Sequence, residues 1–359
     1  MKIKRYCLCM ASIVFLFIIF FAVSTADTFS LTAESKDIKY IDAHNHLTGR
    51  FGPQSRQVLD FEGAAQAALR TMNRFGIEKM LIMPPPFPPG HEHQYECDDF
   101  IEIAQKYPER FAFLGGGGTL NPMIQEAVRK GKTDYQKQKF KRTALEILSK
   151  GAKGFGEFAI EHLCLGKKHN HQSAPADHPL FLLLADIAAQ HDVPIDIHME
   201  VVAKKMPLPG NLSSPPNPKE LAPNLGAFER LLAYNPKAKI IWSHVGWDNT
   251  GHRTAELTAR LLKKHPNLYM SFKISPRDSV PENRPIQKGV GLKPEWINVI
   301  REFPDRFIIG SDQFYLSPKM RGQTGPPSAA PTNSFFSLLP PDIARKVGIE
   351  NPRRLFKLH

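Results

Sequence analysis

The chain has 359 residues, of which 42% are apolar, so it can bury one barrel-sized core or two smaller ones. Its 31 prolines and 24 glycines are dispersed, which excludes a low-complexity protein and suits punctuation between many short elements. The formal charge is +12, but basic runs such as KGKTDYQKQKFKR (130–142) read as a solvated helix face, so no nucleic-acid partner is expected.

Residues 1–26 have the form of an export signal. Lys2, Lys4 and Arg5 make a basic start, Ala11 to Val23 is almost unbroken apolar sequence, and Ser24, Thr25 and Ala26 offer small residues for cleavage before Asp27. Cleavage and a periplasmic or secreted location are expected. The alternative is an uncleaved membrane anchor, because the apolar stretch from Tyr6 to Val23 spans 18 residues, the lower edge for a crossing helix. Cleavage takes three positive charges from the +12 and leaves Cys97 and Cys164, two thiols not expected to pair with each other.

The remainder alternates strand and helix. In KYIDAHNH (39–46), Tyr40, Ile41 and Ala43 are strand residues, and Asp42, His44 and His46 follow at spacing two. Alternate side chains of a strand share a face, so His44 and His46 project together from backbone positions about 7 Å apart, within reach of one ion. Next come a helix over Glu62–Phe75 stopped by Gly76, a strand over Ile77–Met83, and a proline-stiffened loop over 84–95. That loop carries a second H-x-H, His91 and His93, at most a rim contributor. Asp98–Tyr107 reads as helix and Arg110–Leu114 as a strand entering Gly115–Gly118, which no Lys-Ser/Thr follows and which is therefore not a phosphate loop. A long helical region, Pro122–Lys150, leads to a strand over Ala152–Phe158 with Glu157 at its end, either a solvated residue or a ligand or proton carrier. Helix His178–His191 precedes VPIDIHME (193–200), ending in His198 and Glu200, and helix Leu225–Tyr234 precedes AKIIWSHVG (238–246), which carries His244. Helix Thr254–Lys264, strand Asn267–Lys273, helix Pro294–Phe303 and the strand RFIIGSD (306–312), ending at Asp312, complete the series.

Eight such units predict a parallel sheet with right-handed crossovers, closed as a single (β/α)8 TIM barrel over residues 38–359. His44, His46, Glu157, His198, His244 and Asp312 all fall near strand ends, which a barrel gathers on one face. Each taken singly reads as a satisfied polar residue; together they read as a metal centre. The long loops 84–95, 158–177, 201–224, 274–293 and 313–334 follow strands, so insertions decorate that same face.

With these residues in view, the chain resembles the amidohydrolase superfamily of metal-dependent barrels, in particular the amidohydrolase-related branch that includes aminocarboxymuconate-semialdehyde decarboxylase. The resemblance spans about residues 38–358 and is carried by DAHNH (42–46), IDIHME (195–200), IIWSHVGW (240–247), IIGSDQF (308–314) and NPRRLF (351–356). It implies that His44, His46, His198 and Asp312 hold the metal, and that His244 either orients the attacked group or ligates a second ion. Where a carboxylated lysine often bridges two metals, the fourth strand here ends in Glu157, with Lys153 four residues earlier, so one ion or two stay open.

A divalent ion held by imidazoles and a carboxylate leaves room for water and lowers its pKa towards about 7. Asp312 is then expected as general base, His244 as stabiliser of the developing oxyanion, and Glu157 as ligand or proton carrier. Zn2+ suits the nitrogen-rich donor set, although Mn2+, Fe2+ or Co2+ would tolerate it. The expected reaction is hydrolysis of a C–N or C–O bond in a small amide, lactone or ester. Decarboxylation by the same ion is the alternative, and an exported barrel that binds metal or ligand without turnover is a reading of another class. Rim arginines such as Arg50, Arg253 or Arg277 would favour acidic substrates, and Phe87, Tyr95, Trp247, Phe314 and Tyr315 a cyclic or apolar one. The sequence does not set the oligomeric state; relatives commonly dimerise, and a homodimer is one candidate assembly.

Overall fold

The computed structural model describes residues 39–131, 133–165, 170–275, 280–287, 289, 291–320 and 329–359. The export segment 1–26 and Arg277 lie outside the described residues. Among the described residues, no helix is long and apolar enough to cross a membrane.

Eight main strands alternate with helices: β1 (Tyr40–Thr48), β2 (Ile77–Ile82), β3 (Phe111–Phe113), β4 (Phe155–His162), β5 (Pro194–Met199), β6 (Lys239–Val245), β7 (Leu268–Phe272) and β8 (Phe307–Ile309). They pair in parallel as two sheets. One runs Gln313–Leu316, β1, β2, β3; the other runs β8, β7, β6, β5, β4 and Gly115–Gly116. The chain itself passes between the sheets twice. The Leu114 amide donates to Ile82 in the first sheet, whereas the next amide, Gly115, donates to Gly154 beside the second. Gly310 donates to Phe272 of β7 and Asp312 donates to His44 of β1. The expected single closed ladder is thus drawn as two parallel sheets joined at the third and eighth strands.

Local chemistry explains the helices. In Phe61–Phe75, Asp60 caps the first turn by accepting from the Gly63 amide, and Gly76 ends the helix with φ 70°. Phe61, Ala64, Ala65, Ala68 and Met72 recur at helical spacing and form its buried face. The long helical region expected over Pro122–Lys150 is instead two helices, Leu120–Lys130 and Asp134–Ser149. Gly131, at φ 79°, breaks the first, and Thr133 starts the second by accepting from the Gln136 amide. This second helix buries Phe140, Ala144 and Ile147 and leaves its basic side chains solvated. The expected helix Asp98–Tyr107 is a short turn at Cys97–Asp99 capped by Glu96, then Ile101–Lys106.

Strands buried on both faces carry the core. In β5, Ile195 and Ile197 lie in the apolar core, while Asp196 and His198 take the alternate positions and are equally buried. Full burial of such aliphatic side chains is worth about 1.5–3 kcal/mol each, which sets the scale of support for the polar centre they surround. Cys97 and Cys164 are both buried and are not bonded to each other.

Candidate metal centre

β1 continues two residues beyond His46, so the H-x-H lies inside the strand, with both rings fully buried. Glu157 also departs from the expected strand end: it is the third residue of β4, because that strand starts at Phe155 and runs on to His162. Asp312 stands three residues past the end of β8, between it and the pairing segment Gln313–Leu316. The polar residues nonetheless converge, because neighbouring parallel strands bring them into register. His198, for example, lies opposite Ala159 of β4.

Glu157 is the hub, 3% exposed. Its Oε2 lies 3.4 Å from His44 Nε2 and 3.5 Å from His46 Nε2. Its Oε1 lies 3.1 Å from His198 Nδ1 and 3.0 Å from His244 Nε2. Asp312 Oδ1 closes the first group, 3.2 Å from His46 Nε2 and 3.8 Å from His44 Nε2. Donor atoms of His44, Glu157, His244 and Asp312 all lie within 4.8 Å of one another, a set able to share one ion. His198 is not in that set; it meets the centre through the other oxygen of Glu157.

The donors fit a divalent cation on their own chemistry. His44 Nε2 and His46 Nε2 are buried and have no hydrogen-bond partner, yet both face carboxylate oxygens. Leaving such nitrogens unpaired in a dry interior is costly, and a cation between them and the carboxylates removes that cost. The far nitrogen of each ring is anchored: His44 Nδ1 lies 3.2 Å from Asp196 Oδ2 and His46 Nδ1 lies 2.9 Å from the Met83 carbonyl.

Electrostatics keep the two carboxylates ionised and favour protons on three of the imidazoles, which a bound cation would replace. Burial pushes the Glu157 carboxyl up, but the charge of His44 and hydrogen bonds from His198 and His244 outweigh it and hold it well below the carboxylate range. Asp312 is likewise held low against burial by Lys273, His244, His46 and His44. Burial opposes protonation of His44, but Asp196 and Glu157 raise it well above the usual imidazole value. His46 and His198 are raised by their carboxylate neighbours, again against burial. His244 differs: burial dominates and drives it down to about 3.

His244 and Asp312 also share a backbone feature, φ of 67° and 52°, in the left-handed region that side chains rarely occupy. Arg253 holds the first of these turns. Fully buried, it donates to the carbonyls of His244 at 2.7 Å, Trp247 at 2.9 Å and Met199. It is therefore a strut between β5 and β6, not the expected rim contact for an acidic substrate. Arg50 is occupied too, donating to Asp99 at 2.7 Å. Of the aromatics, Phe314 packs on His46 with ring centroids 4.4 Å apart and Trp247 reaches His244 at 6.3 Å. Phe87, Tyr95 and Tyr315 belong to the apolar core. His93 bonds the Gly52 carbonyl at 2.8 Å, within the loop region.

The profile of the family described as Amidohydrolase matches residues 41–358. The chain belongs to this family. No curated protein sequence matches the chain. Among solved structures, an uncharacterised TIM-barrel protein from Bordetella bronchiseptica is similar at 16% identity and a TM-score of 0.53, covering 89% of this chain and 99% of that one. A probable 2-pyrone-4,6-dicarboxylic acid hydrolase from Acinetobacter baumannii, solved with citric acid bound, is similar at 14% identity and a TM-score of 0.50, with the same coverage. A 2,6-dihydroxybenzoate decarboxylase complexed with 2,6-dihydroxybenzoate is similar at 16% identity and a TM-score of 0.50, also with that coverage. At such identities the likeness is one of fold. The chain thus has a probable hydrolase and a decarboxylase among its structural neighbours.

Three residues at the amidohydrolase centre escaped the sequence reading. Lys273, just past β7, donates to Asp312 Oδ2, and its Nζ lies 4.0 Å from the centroid of Trp247. The rule that singled out the other strands' final residues would have found it. Asp196, two strand positions before His198, and Ser243, one before His244, carry no signal until the strands are paired.

Proposed function

We propose that this amidohydrolase is an exported, metal-dependent hydrolase that uses water to cleave a C–N or C–O bond of a small amide, lactone or ester. The reading rests above all on the division of Glu157, one oxygen facing His44 and His46 and the other facing His198 and His244. That division suits two divalent ions: His44, His46 and Asp312 would hold one, His198 and His244 would help hold a second, and Glu157 would serve both. Zn2+ is the ion proposed for this nitrogen-rich set. When bound, the cation polarises a substrate carbonyl and lowers the pKa of water towards about 7.

The protein's own groups supply the rest. Asp312 stays ionised at neutral pH and presents Oδ1 to the histidines while Lys273 holds Oδ2, so it is oriented to accept a proton and return it to the leaving group. His244, kept neutral by burial, gives its one N–H to Glu157 Oε1 at 3.0 Å and adds no charge to the centre. Phe314 and Trp247 wall the centre and limit water. The two sheets are read as one closed cylinder, which the two chain passages between them support.

Decarboxylation would use the same ion to grip a substrate carboxylate, and a free cationic side chain beside it would help. Among the described residues near the centre, Arg253 is spent on carbonyls and Lys273 on Asp312, which favours hydrolysis. Elemental analysis of the purified mature protein, followed by esters, lactones, amides and aromatic carboxylates as substrates, tests the proposal. Retained metal with hydrolysis products supports it. Release of CO2 alone, or no turnover with full metal occupancy, overturns it. N-terminal sequencing of the exported form should begin at Asp27.

A further inference from the structure

We infer that Asp196 is a positioning residue for the metal centre, acting through His44. The inference rests on the metal-centre reading above and adds to it a tautomer and its cause. Asp196 Oδ2 lies 3.2 Å from His44 Nδ1, and Ser243 Oγ donates to Asp196 Oδ1 at 2.8 Å. All three residues are buried, with 0% exposure each. A carboxylate at Nδ1 keeps the ring proton on that nitrogen and leaves the lone pair on Nε2. Nε2 is the unpartnered atom that faces Glu157 and Asp312.

The two histidines of the H-x-H are therefore held by unlike acceptors. His46 leans on a neutral carbonyl, that of Met83, whereas His44 leans on a carboxylate. The negative partner makes His44 the more basic ligand and resists rotation of its ring. Packing leaves Asp196 and His44 little freedom. A Cβ on Gly156 would fall 2.8 Å from the Asp196 Cβ, and one on Gly310 would fall 2.6 Å from the His44 Cβ. Asp196 and His198 occupy alternate positions on β5, so one strand supplies both a neighbour of Glu157 and the prop for a histidine on β1.

The test is Asp196→Asn in the full mature protein, with Zn2+ affinity read by competition against a coloured chelator and the visible spectrum of the Co2+-loaded form recorded alongside. An asparagine can turn its amide N–H towards Nδ1 and favour the wrong tautomer. Zn2+ affinity should fall about 10- to 100-fold and the Co2+ bands should shift. Equal affinity and an unchanged Co2+ spectrum in a folded variant overturn the inference. Should that variant fail to fold, Ser243→Ala keeps the carboxylate but frees its second oxygen. It should move affinity and spectrum in the same direction by a smaller factor; no change in either overturns the inference. Ion uptake by the parent and Asp196→Asn alike defeats this inference alone, whereas no uptake by the parent defeats the metal-centre reading with it.

Discussion

Glu157→Gln isolates the charge at the hub while keeping its shape. The native carboxylate faces imidazoles on both sides, 3.4 and 3.5 Å from His44 and His46 through one oxygen, and accepting from His198 and His244 at 3.1 and 3.0 Å through the other. A glutamine has one acceptor and one donor end, so it must turn an N–H towards one of the two imidazole pairs. Breaking a buried charged group away from its partners costs about 3–5 kcal/mol, and about 1.4 kcal/mol is a factor of ten. Zn2+ affinity should therefore fall roughly 10²- to 10⁴-fold. Competition with a chelator at pH 7.5 measures this, and circular dichroism checks that the variant is folded. A folded Glu157→Gln protein that binds Zn2+ within about tenfold of the parent would refute the assignment of Glu157 as the hub.

The chelated protein should lose thermal stability as pH rises from 6 to 9. His44, His46 and His198 have raised pKa values in the fold, so their contribution is complete below the unfolded value of about 6.5 and fades as pH climbs through the folded values. His244, lowered to about 3, works oppositely and takes stability away as pH drops below about 6.5; Glu157 and Asp312, held low, lose theirs only in more acid solution. Calorimetry from pH 4 to 9 should show the alkaline decline without metal and its suppression with Zn2+, and a flat profile would contradict the assignments. Arg253→Lys keeps a charge but loses the guanidinium fork that spans three carbonyls; a loss of about 3–5 kcal/mol should lower Tm by roughly 4–7 °C. An unchanged melt would mean that Arg253 is no strut.

Much of this centre was legible because metal ligation demands particular residue types at strand spacing. The pair His44 and His46, two apart in an apolar run, declares both a strand and a shared face. His198, His244 and Asp312 follow apolar runs bounded by helices, so their common destination follows from the alternation. Arg253 misled because an arginine near a strand end looks the same whether it meets substrate or backbone. Only its burial and its three carbonyls tell the two apart.

The amino-acid order alone determined the alternating architecture and the residues that converge, since periodicity and ligand chemistry are local properties. The tertiary structure decided which atoms meet. The division of Glu157 between two imidazole pairs, the hold of Lys273 on Asp312 and the support of His44 by Asp196 all link residues at least 39 positions apart. Those contacts depend on strand register and side-chain rotation, which long-range packing sets and no local pattern encodes.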